Sequence, residues 1–321
     1  MKAVVYYEHG KPEVLQAVEL EKPSMSEDEI LVKVEASGIN PVDTYFRSGV
    51  RPVEKFPHIP HFDLAGTVVK VGSNVRQWKV GDRVWGTNIK GTAAQFVAVK
   101  EEQVFPLAPH VTSAEGAALA MAFMTAHLAL FYRAKLEEGE KILIFGGAGA
   151  VGHAAIQLAK SIGAYTIATA GNEEKAQLAK EAGADEVILY TEENVVEKVS
   201  AFTGETGVDV ILDVSLSENI EQDLQMVANG GRIITIGSPK NNTPQLPWRL
   251  LNMKNASLVG VLLFTVPVQK QIEAGNEISR WFAEKKLNAL IGKTYHFEEA
   301  SKAHEALEAH AYNGSIVLSF E

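Results

Sequence analysis

Three glycines, Gly147, Gly149 and Gly152, stand at the spacing G-x-G-x-x-G within the run Gly146-Gly147-Ala148-Gly149-Ala150-Val151-Gly152. A turn of this composition suits one task, holding a pyrophosphate against backbone. The first glycine allows a tight turn, the second lets the chain approach the phosphates, and the third lets a helix pack on the preceding strand. The helix start adds unpaired N–H groups and a partial positive charge. Taken alone, the pattern often marks only a corner between strand and helix. Here an apolar run, residues 141–145, precedes it, and an amphipathic helix follows with Val151, Ala155, Leu158, Ala159 and Ile162 on one face. That setting predicts dinucleotide binding. A nucleoside-triphosphate loop would need Lys and then Ser or Thr after the last glycine, and His153 stands there instead.

Which dinucleotide the turn takes is a question of charge. An NAD site places Asp or Glu at the end of the second strand, on the ribose hydroxyls. Here that strand, residues 166–169, runs into Ala170-Gly171-Asn172 with no acid at that point. Glu173 and Glu174 come later, in the first turn of the next helix, where acids suit the dipole. Lys175 lies in the same turn, and Tyr190 ends the third strand, beside the second in this topology. Singly, these are a helix lysine and an aromatic at a strand end. With Ala170 they predict room for a 2′-phosphate, and so NADPH over NADH.

Elements must hold these residues in place. The first hundred residues read as short strands broken by Gly and Pro, at residues 2–7, 29–36, 66–71, 83–86 and 94–99. Thr112 and Glu115 fit a capping box before a long alanine-rich helix to about Tyr132. Strands and helices then alternate, with apolar runs at 141–145, 166–169, 186–189, 209–212, 232–236 and 258–262. Six such runs with helical crossovers predict a doubly wound parallel sheet. The tail, residues 269–321, predicts two helices and a last strand at 315–320, returning to the first domain. The fold class is α/β, a mostly-β domain plus a Rossmann domain.

Composition narrows the function. At 321 residues two domains are expected. A net charge of −10 argues against a nucleic-acid partner, which needs a basic face. With no cysteine, disulfides, thiol catalysis and thiolate zinc ligands are removed. The first residues meet an acid and a histidine too soon for a signal peptide, and no apolar run approaches the roughly 20 residues that span a bilayer. The expectation is a cytoplasmic protein with no membrane partner.

The segment Ser37-Gly38-Ile39-Asn40-Pro41-Val42-Asp43-Thr44-Tyr45-Phe46-Arg47-Ser48-Gly49 resembles the quinone oxidoreductase (zeta-crystallin-like) branch of the medium-chain dehydrogenase/reductases. So do Asp63-Leu64-Ala65-Gly66, Val80-Gly81-Asp82-Arg83-Val84, the glycine turn, Gly230-Gly231-Arg232-Ile233 and Leu258-Val259-Gly260-Val261-Leu262-Leu263-Phe264. The resemblance spans essentially the whole chain. It implies a GroES-like catalytic domain from residues 1–120 and 265–321, a Rossmann domain from 121–264, and a cofactor in the cleft between them. It places Asn40 and Tyr45 near the nicotinamide and Ala148, Gly149, Ala150 and Val151 on the pyrophosphate. Gly171, Lys175 and Tyr190 surround the ribose phosphate. Thr125, Ser215, Gly237, Ser238, Leu262, Leu263 and Phe264 complete the cofactor set. The zeta-crystallin turn carries Ser where this chain has Ala148, and Pro239-Lys240 replaces an Arg-Gly-like pair.

Zinc-containing members of the superfamily carry Cys where this chain has Asn40, and Gly-His-Glu where it has His61-Phe62-Asp63. The histidines and acid of the segment 58–63 make only a superficial ligand pattern, and no metal is expected. Reducing a simple ketone builds an alkoxide, which calls for a Lewis acid. Hydride delivery to a quinone or an enone builds a delocalised anion that hydrogen bonds can carry. Tyr45 is the candidate proton donor and Asn40 the polariser, although Tyr45 can equally pack on the nicotinamide. The expected function is NADPH:quinone oxidoreductase. The alternatives are an enone or alkenal reductase of the same fold, and a dinucleotide-binding protein with a structural or RNA-binding role. The sixth strand would leave an apolar sheet edge, which with the resemblance predicts a homodimer.

Overall fold

The structure, a computed structural model, describes residues 1–237 and 240–321. In the first hundred residues it forms β1 (Lys2–Val5), β2 (Gln16–Glu19), β3 (Glu29–Ile39), α1 (Pro41–Ser48), β4 (Asp63–Val71), β5 (Arg83–Gly86), β6 (Phe96–Lys100) and β7 (Val104–Pro106). Then come α2 (Ser113–His127), β8 (Lys141–Ile144), α3 (Ala150–Ser161), β9 (Tyr165–Ala170), α4 (Glu173–Glu181), β10 (Glu186–Leu189), α5 (Val195–Thr203), β11 (Val208–Asp213), α6 (Leu216–Met226), β12 (Val227–Thr235), α7 (Trp248–Met253) and β13 (Ser257–Gly260). The tail holds α8 (Val268–Ala283), β14 (Ile291–His296), α9 (Ala300–Glu308) and β15 (Ser315–Ser319). Three strands, β2, β7 and β14, and the helix α1 go beyond the sequence expectation. The sixth apolar run ends as a strand at Gly260, not at residue 262, because Leu263–Thr265 closes into a single 3₁₀ turn.

The chain divides into two compact units, Met1–Met124 with Ile272–Glu321, and Thr125–Gln271. In the first, β3 is the central strand. It pairs antiparallel with β4 along one edge, and with β6 and then β15 along the other. The sheet runs β14-β15-β3-β4-β5-β7. Alternation along β3 buries Ile30, Val32 and Val34 against Leu64, Val68, Val84 and Val99. A second core of Val4, Tyr6, Ile39, Phe297, Ala303 and Leu318 lies under the tail.

The second unit is a six-stranded parallel sheet in the order β10-β9-β8-β11-β12-β13. This is the doubly wound order, in which β8 and β9 diverge from β8 and β11 at the switch point. Its core joins Leu143, Ile167, Ile188, Ile211 and Ile233 with Leu216, Ile220 and Leu224 of α6. The Thr112–Glu115 box forms as expected: Thr112 N–H donates to Glu115 Oε2 at 2.7 Å, and Glu115 N–H returns to Thr112 Oγ1 at 3.2 Å. By length and composition the helical stretch Ser113–Ala134 is apolar enough to cross a bilayer, which the reading of the apolar runs overlooked; 83% of its most apolar window is buried in the protein.

One polar seam crosses the first unit. Arg47, on α1, is 2% exposed; its Nε donates to Gly10 O at 3.2 Å and it pairs with Glu308 on α9. Its Nη1 lies 3.3 Å from His304 Nδ1. His304 Nε2 meets His61 Nε2 at 2.9 Å, His61 Nδ1 meets Ser37 Oγ at 3.1 Å, and Ser37 Oγ meets Thr92 Oγ1 at 3.2 Å. Arginine can only donate, so the sense of the whole series follows. His304 accepts at Nδ1 and donates from Nε2, His61 accepts at Nε2 and donates from Nδ1 to Ser37, and the Ser37 hydroxyl donates to Thr92. Both imidazoles are therefore neutral. Burial agrees: it holds His61 down to about 3, and burial, His61 and Arg47 together hold His304 well below its ordinary range.

Arg47→Met keeps most of the stem but strands His304 Nδ1 and the Gly10 carbonyl without a donor. Glu308, partly exposed, can turn to water. The expected cost is roughly 3 kcal/mol in unfolding free energy, read by denaturant titration. Lys90→Met, which removes an exposed ion pair with Glu54, leaves the midpoint unchanged.

Candidate active site

In the second unit the glycine turn joins β8 to α3. Phe145 N–H donates to Leu212 O, Gly146 N–H to Thr169 Oγ1, and Gly147 N–H to Thr169 O at 2.9 Å, so β11 and β9 both anchor the turn. The glycine roles differ from the expectation in one respect. The left-handed residue that makes the turn is Gly146, at φ 71°, and not Gly147. Gly147 is required by crowding: a Cβ there would lie 2.9 Å from Ala179 Cβ and 3.0 Å from Ala168 Cβ. At Gly152 a Cβ would stand 2.2 Å from Gly146 O, so the helix can pack only on glycine. At Gly149 it would meet only Gly146 O, at 3.3 Å, which leaves that backbone open to a ligand. Ala148 is buried in the turn, while Ala150 and Val151 open α3 half-buried, among the N–H groups with no acceptor inside the helix. His153 is buried and accepts from Gln157 Nε2 at 2.9 Å; burial holds it down to about 4, a neutral packing residue.

At the end of β9, Ala170 is buried, and Gly171 and Asn172 follow it before the first acid, Glu173, at the start of α4. Tyr190 N–H donates to Ala170 O, and the ring, 54% exposed, covers Gly171, where a Cβ would meet Tyr190 Oη at 2.7 Å. Lys175 N–H is capped by Asn172 Oδ1 at 2.9 Å, and among the described residues its ammonium makes no ion pair. Gly171 and Tyr190 meet at the ends of adjacent strands β9 and β10, and Lys175 lies in the first turn of α4, which follows β9. These residues suit a phosphorylated ribose: a free cation, a hydroxyl and no carboxylate.

At the ends of β11 and β12, Ser215 precedes α6 and Gly237 O accepts from Leu216 N–H at 3.1 Å. Ser238 lies outside the described residues. Thr125 is buried on α2. After β13, Leu262 is exposed, Leu263 is buried, and Phe264 is half-buried in the 3₁₀ turn. Beneath Ser215 lies an acid pair that the sequence reading missed. Asp213 Oδ1 accepts from Ser215 N–H at 2.7 Å and Asn219 Nδ2 at 3.0 Å, while its Oδ2 and both oxygens of Asp223 are buried with no donor in reach. One proton shared between the two carboxyls resolves the conflict. Burial, with the charge of Asp213 adding, pushes Asp223 up to about 9.

In the first unit Asn40 ends β3 and caps α1; its own N–H donates to Asp43 Oδ2 at 2.6 Å. Asn40 Nδ2 donates to Asp63 Oδ2 at 2.7 Å. Tyr45, half-buried, lies two residues before the buried Arg47 on α1, and among the described residues its hydroxyl makes no hydrogen bond. Phe62 is buried against Phe46, ring centroids 5.4 Å apart. His61 is committed to Ser37 and His304, and Asp63 to Asn40. Among the described residues no group of three His, Asp or Glu is placed to hold a metal ion.

Asp223 holds its proton in the fold up to about 9 but loses it near 4 when unfolded. Its folded value is raised, so its contribution is complete below pH 4 and is lost as pH rises toward 9. Asp223→Asn can donate to Asp213 permanently. Thermal melts are expected to show no gain at pH 4, and a gain of several degrees that widens from pH 5 to 9.

Known proteins share this fold and part of this sequence. Residues 26–109 match the alcohol dehydrogenase GroES-like domain and residues 150–280 the zinc-binding dehydrogenase family. The quinone oxidoreductase of Homo sapiens is 34% identical over 330 residues, covering 99% of this chain and 97% of that one. The structure of Escherichia coli quinone oxidoreductase complexed with NADPH matches with a TM-score of 0.90 at 32% identity, covering 99% of this chain and 100% of that one. An NAD-dependent alcohol dehydrogenase matches with a TM-score of 0.93 at 28% identity, covering both chains in full. By these full-length similarities, the chain belongs to the quinone oxidoreductases of the medium-chain dehydrogenase/reductase superfamily.

Proposed function

We propose that the protein transfers hydride from NADPH to a quinone without a metal ion. The observation that carries the reading is the chemistry at the positions where zinc-containing relatives hold their metal. Asn40 is an amide engaged with Asp63, and Phe62 is a buried hydrocarbon. Neither can serve as a zinc ligand of the usual kind. A carbonyl that becomes an alkoxide would be left unsupported there, whereas a quinone spreads its charge.

The glycine turn supports pyrophosphate binding through Gly149 and the first turn of α3. Lys175 and Tyr190 support the 2′-phosphate, and buried Ala170 removes the repulsion a carboxylate would exert. Bound in this way, the cofactor supplies the hydride. The chain's own task is to orient the acceptor and stabilise the oxyanion. Asn40 polarises the acceptor oxygen with an amide N–H, and Tyr45 donates a proton from its hydroxyl.

The test is oxidation of NADPH and NADH with a matched quinone, enone and saturated ketone. The quinone is expected to be turned over rapidly with NADPH and the ketone not at all; efficient ketone reduction would refute the proposal. Lys175→Glu should raise the KM for NADPH by about tenfold or more, the loss of one charge-assisted contact, and leave NADH unaffected. Tyr45→Phe should lower kcat for the quinone less than about threefold, and for an enone by about tenfold or more, since the enone needs its carbonyl polarised as hydride arrives. An enone preferred over the quinone would favour the alkenal reductase reading.

We further propose a homodimer across β13. Among the described residues that strand pairs only with β12; it carries Leu258, which is exposed, and follows a helix that exposes Trp248 and Met253. Solution scattering at micromolar concentration should give twice the mass of the chain, and Leu258→Pro, which removes an N–H from the side of β13 away from β12, should return the monomer mass.

A further inference from the structure

Asp63 opens β4, is 2% exposed, and accepts three hydrogen bonds. Thr87 Oγ1 donates to Oδ1 at 2.6 Å, and Asn40 Nδ2 and the Met121 N–H donate to Oδ2 at 2.7 and 3.2 Å. Gly38 leaves no spare room: a Cβ there would stand 3.1 Å from Asp63 Cβ and 3.2 Å from Oδ2. The carboxylate is thus held by neutral donors on β3, α2 and the residue after β5, and it cannot swing away. An ionised carboxylate can only accept. Asn40 must therefore keep its N–H edge toward Asp63, because turning its carbonyl inward would set oxygen against oxygen. Among the described residues the second Nδ2–H of Asn40 makes no hydrogen bond.

We propose that Asp63 is a positioning residue, which as a carboxylate fixes the Asn40 amide so that its second N–H is presented to the substrate oxygen. The inference rests on the oxidoreductase reading above. It also depends on charge, so every group facing Asp63 matters. Strand β3 brings Gly38 and Asn40, the end of β5 brings Thr87, α2 brings the backbone of Met121, and α1 brings Asp43. Asp43 is fully buried, with one oxygen lacking a donor; burial, with the field of Asp63 adding, holds it well above the usual carboxylate range. Asp63, with three donors against the single Asn40 N–H on Asp43, is the better supported carboxylate of the two. His61, two residues earlier, is neutral. Burial raises Asp63 to about 7 against the pull of its three donors. A proton on Oδ2 sets a hydroxyl against the Asn40 N–H and inverts the amide, whereas a proton on Oδ1 is donated to Thr87 Oγ1, which can accept, and leaves Asn40 only a neutral carbonyl oxygen to hold it. In either case the clamp loosens as pH falls through about 7.

The test combines quinone reduction with NADPH from pH 5 to 9 with NMR of protein labelled with 15N at asparagine. The expected kcat falls on the acid side with a midpoint near 7, while KM for the quinone changes less than about twofold. The side-chain amide signal of Asn40, identified by its loss in Asn40→Ala, should shift with the same midpoint in protein without cofactor or substrate. Asp63→Asn should flatten both titrations and lower kcat roughly tenfold. Thr87→Val removes a donor from the carboxylate without touching Asn40, and should move both midpoints up by about one pH unit. An acid limb or an Asn40 titration that survives unchanged in Asp63→Asn overturns the inference. If that variant does not fold, an unmoved midpoint in Thr87→Val overturns it instead. A wild-type protein that reduces no quinone with NADPH refutes the reading of function, while the NMR titration still decides whether Asp63 holds Asn40.

Discussion

β3 is hydrogen-bonded along both edges, to β4 on one side and to β6 and then β15 on the other. Such a strand has no freedom to slip, because a one-residue shift would turn Ile30, Val32 and Val34 out of the core. Its end is therefore a fixed point in the unit, and Asn40 stands there. The next residue, Pro41, has a backbone already suited to the first turn of a helix, so the chain turns at once into α1. Tyr45 and Arg47 follow on that helix, one half-buried and one sealed in the polar seam. Asp63 enters from the neighbouring strand in register with Gly38. Asn40 and Asp63 are thus placed by strand pairing, not by loops.

The second unit reaches the same end through close approach. Gly147 and Gly152 are small because Ala168, Ala179 and the Gly146 carbonyl occupy the space a side chain would need. That contact draws the start of α3 over the ends of β8 and β9. The Asp213–Asp223 pair does comparable work beside it, since its accepted hydrogen bonds hold the Ser215 turn. A carboxyl pair buried without a cation is costly, and it persists because one proton can satisfy both members.

Much of this was legible in the residues. The parallel strands carry short continuous apolar runs, such as residues 142–145, and the glycine spacing with Ala170 announced the dinucleotide turn. β2, β7 and β14 were not legible, being short and, in β2 and β14, mostly polar at their faces. The helix α1 did carry a signal, Asn40-Pro41 with Asp43 at the third helical position, that went unread behind the family motif. Asn40 and Tyr45 were singled out by resemblance, and nothing in their spacing announced chemistry. Asp63 was visible only within a family motif and a superficial ligand pattern, since its partners Thr87 and the backbone of Met121 lie 24 and 58 residues away. The seam from Arg47 to Thr92 was hidden for the same reason: His61 and His304 are 243 residues apart.

That separation has a meaning for how the molecule is made. As the chain leaves the ribosome, β3 acquires β4 and β6 early, but the edge that β15 will cover waits for about 200 further residues after β7. At about 5–20 residues per second, that interval is on the order of 10–40 s. The dinucleotide unit is synthesised within it and contains all of its own sheet, so it can be complete while its neighbour is still an open half-sheet. For those seconds Ser37, Gly38 and Ile39 offer unpaired backbone, and His61 has no His304 to answer it. The strand that closes the edge beside Asn40 is β15, so the nascent protein completes that corner about 200 residues after the rest of the half-sheet is made.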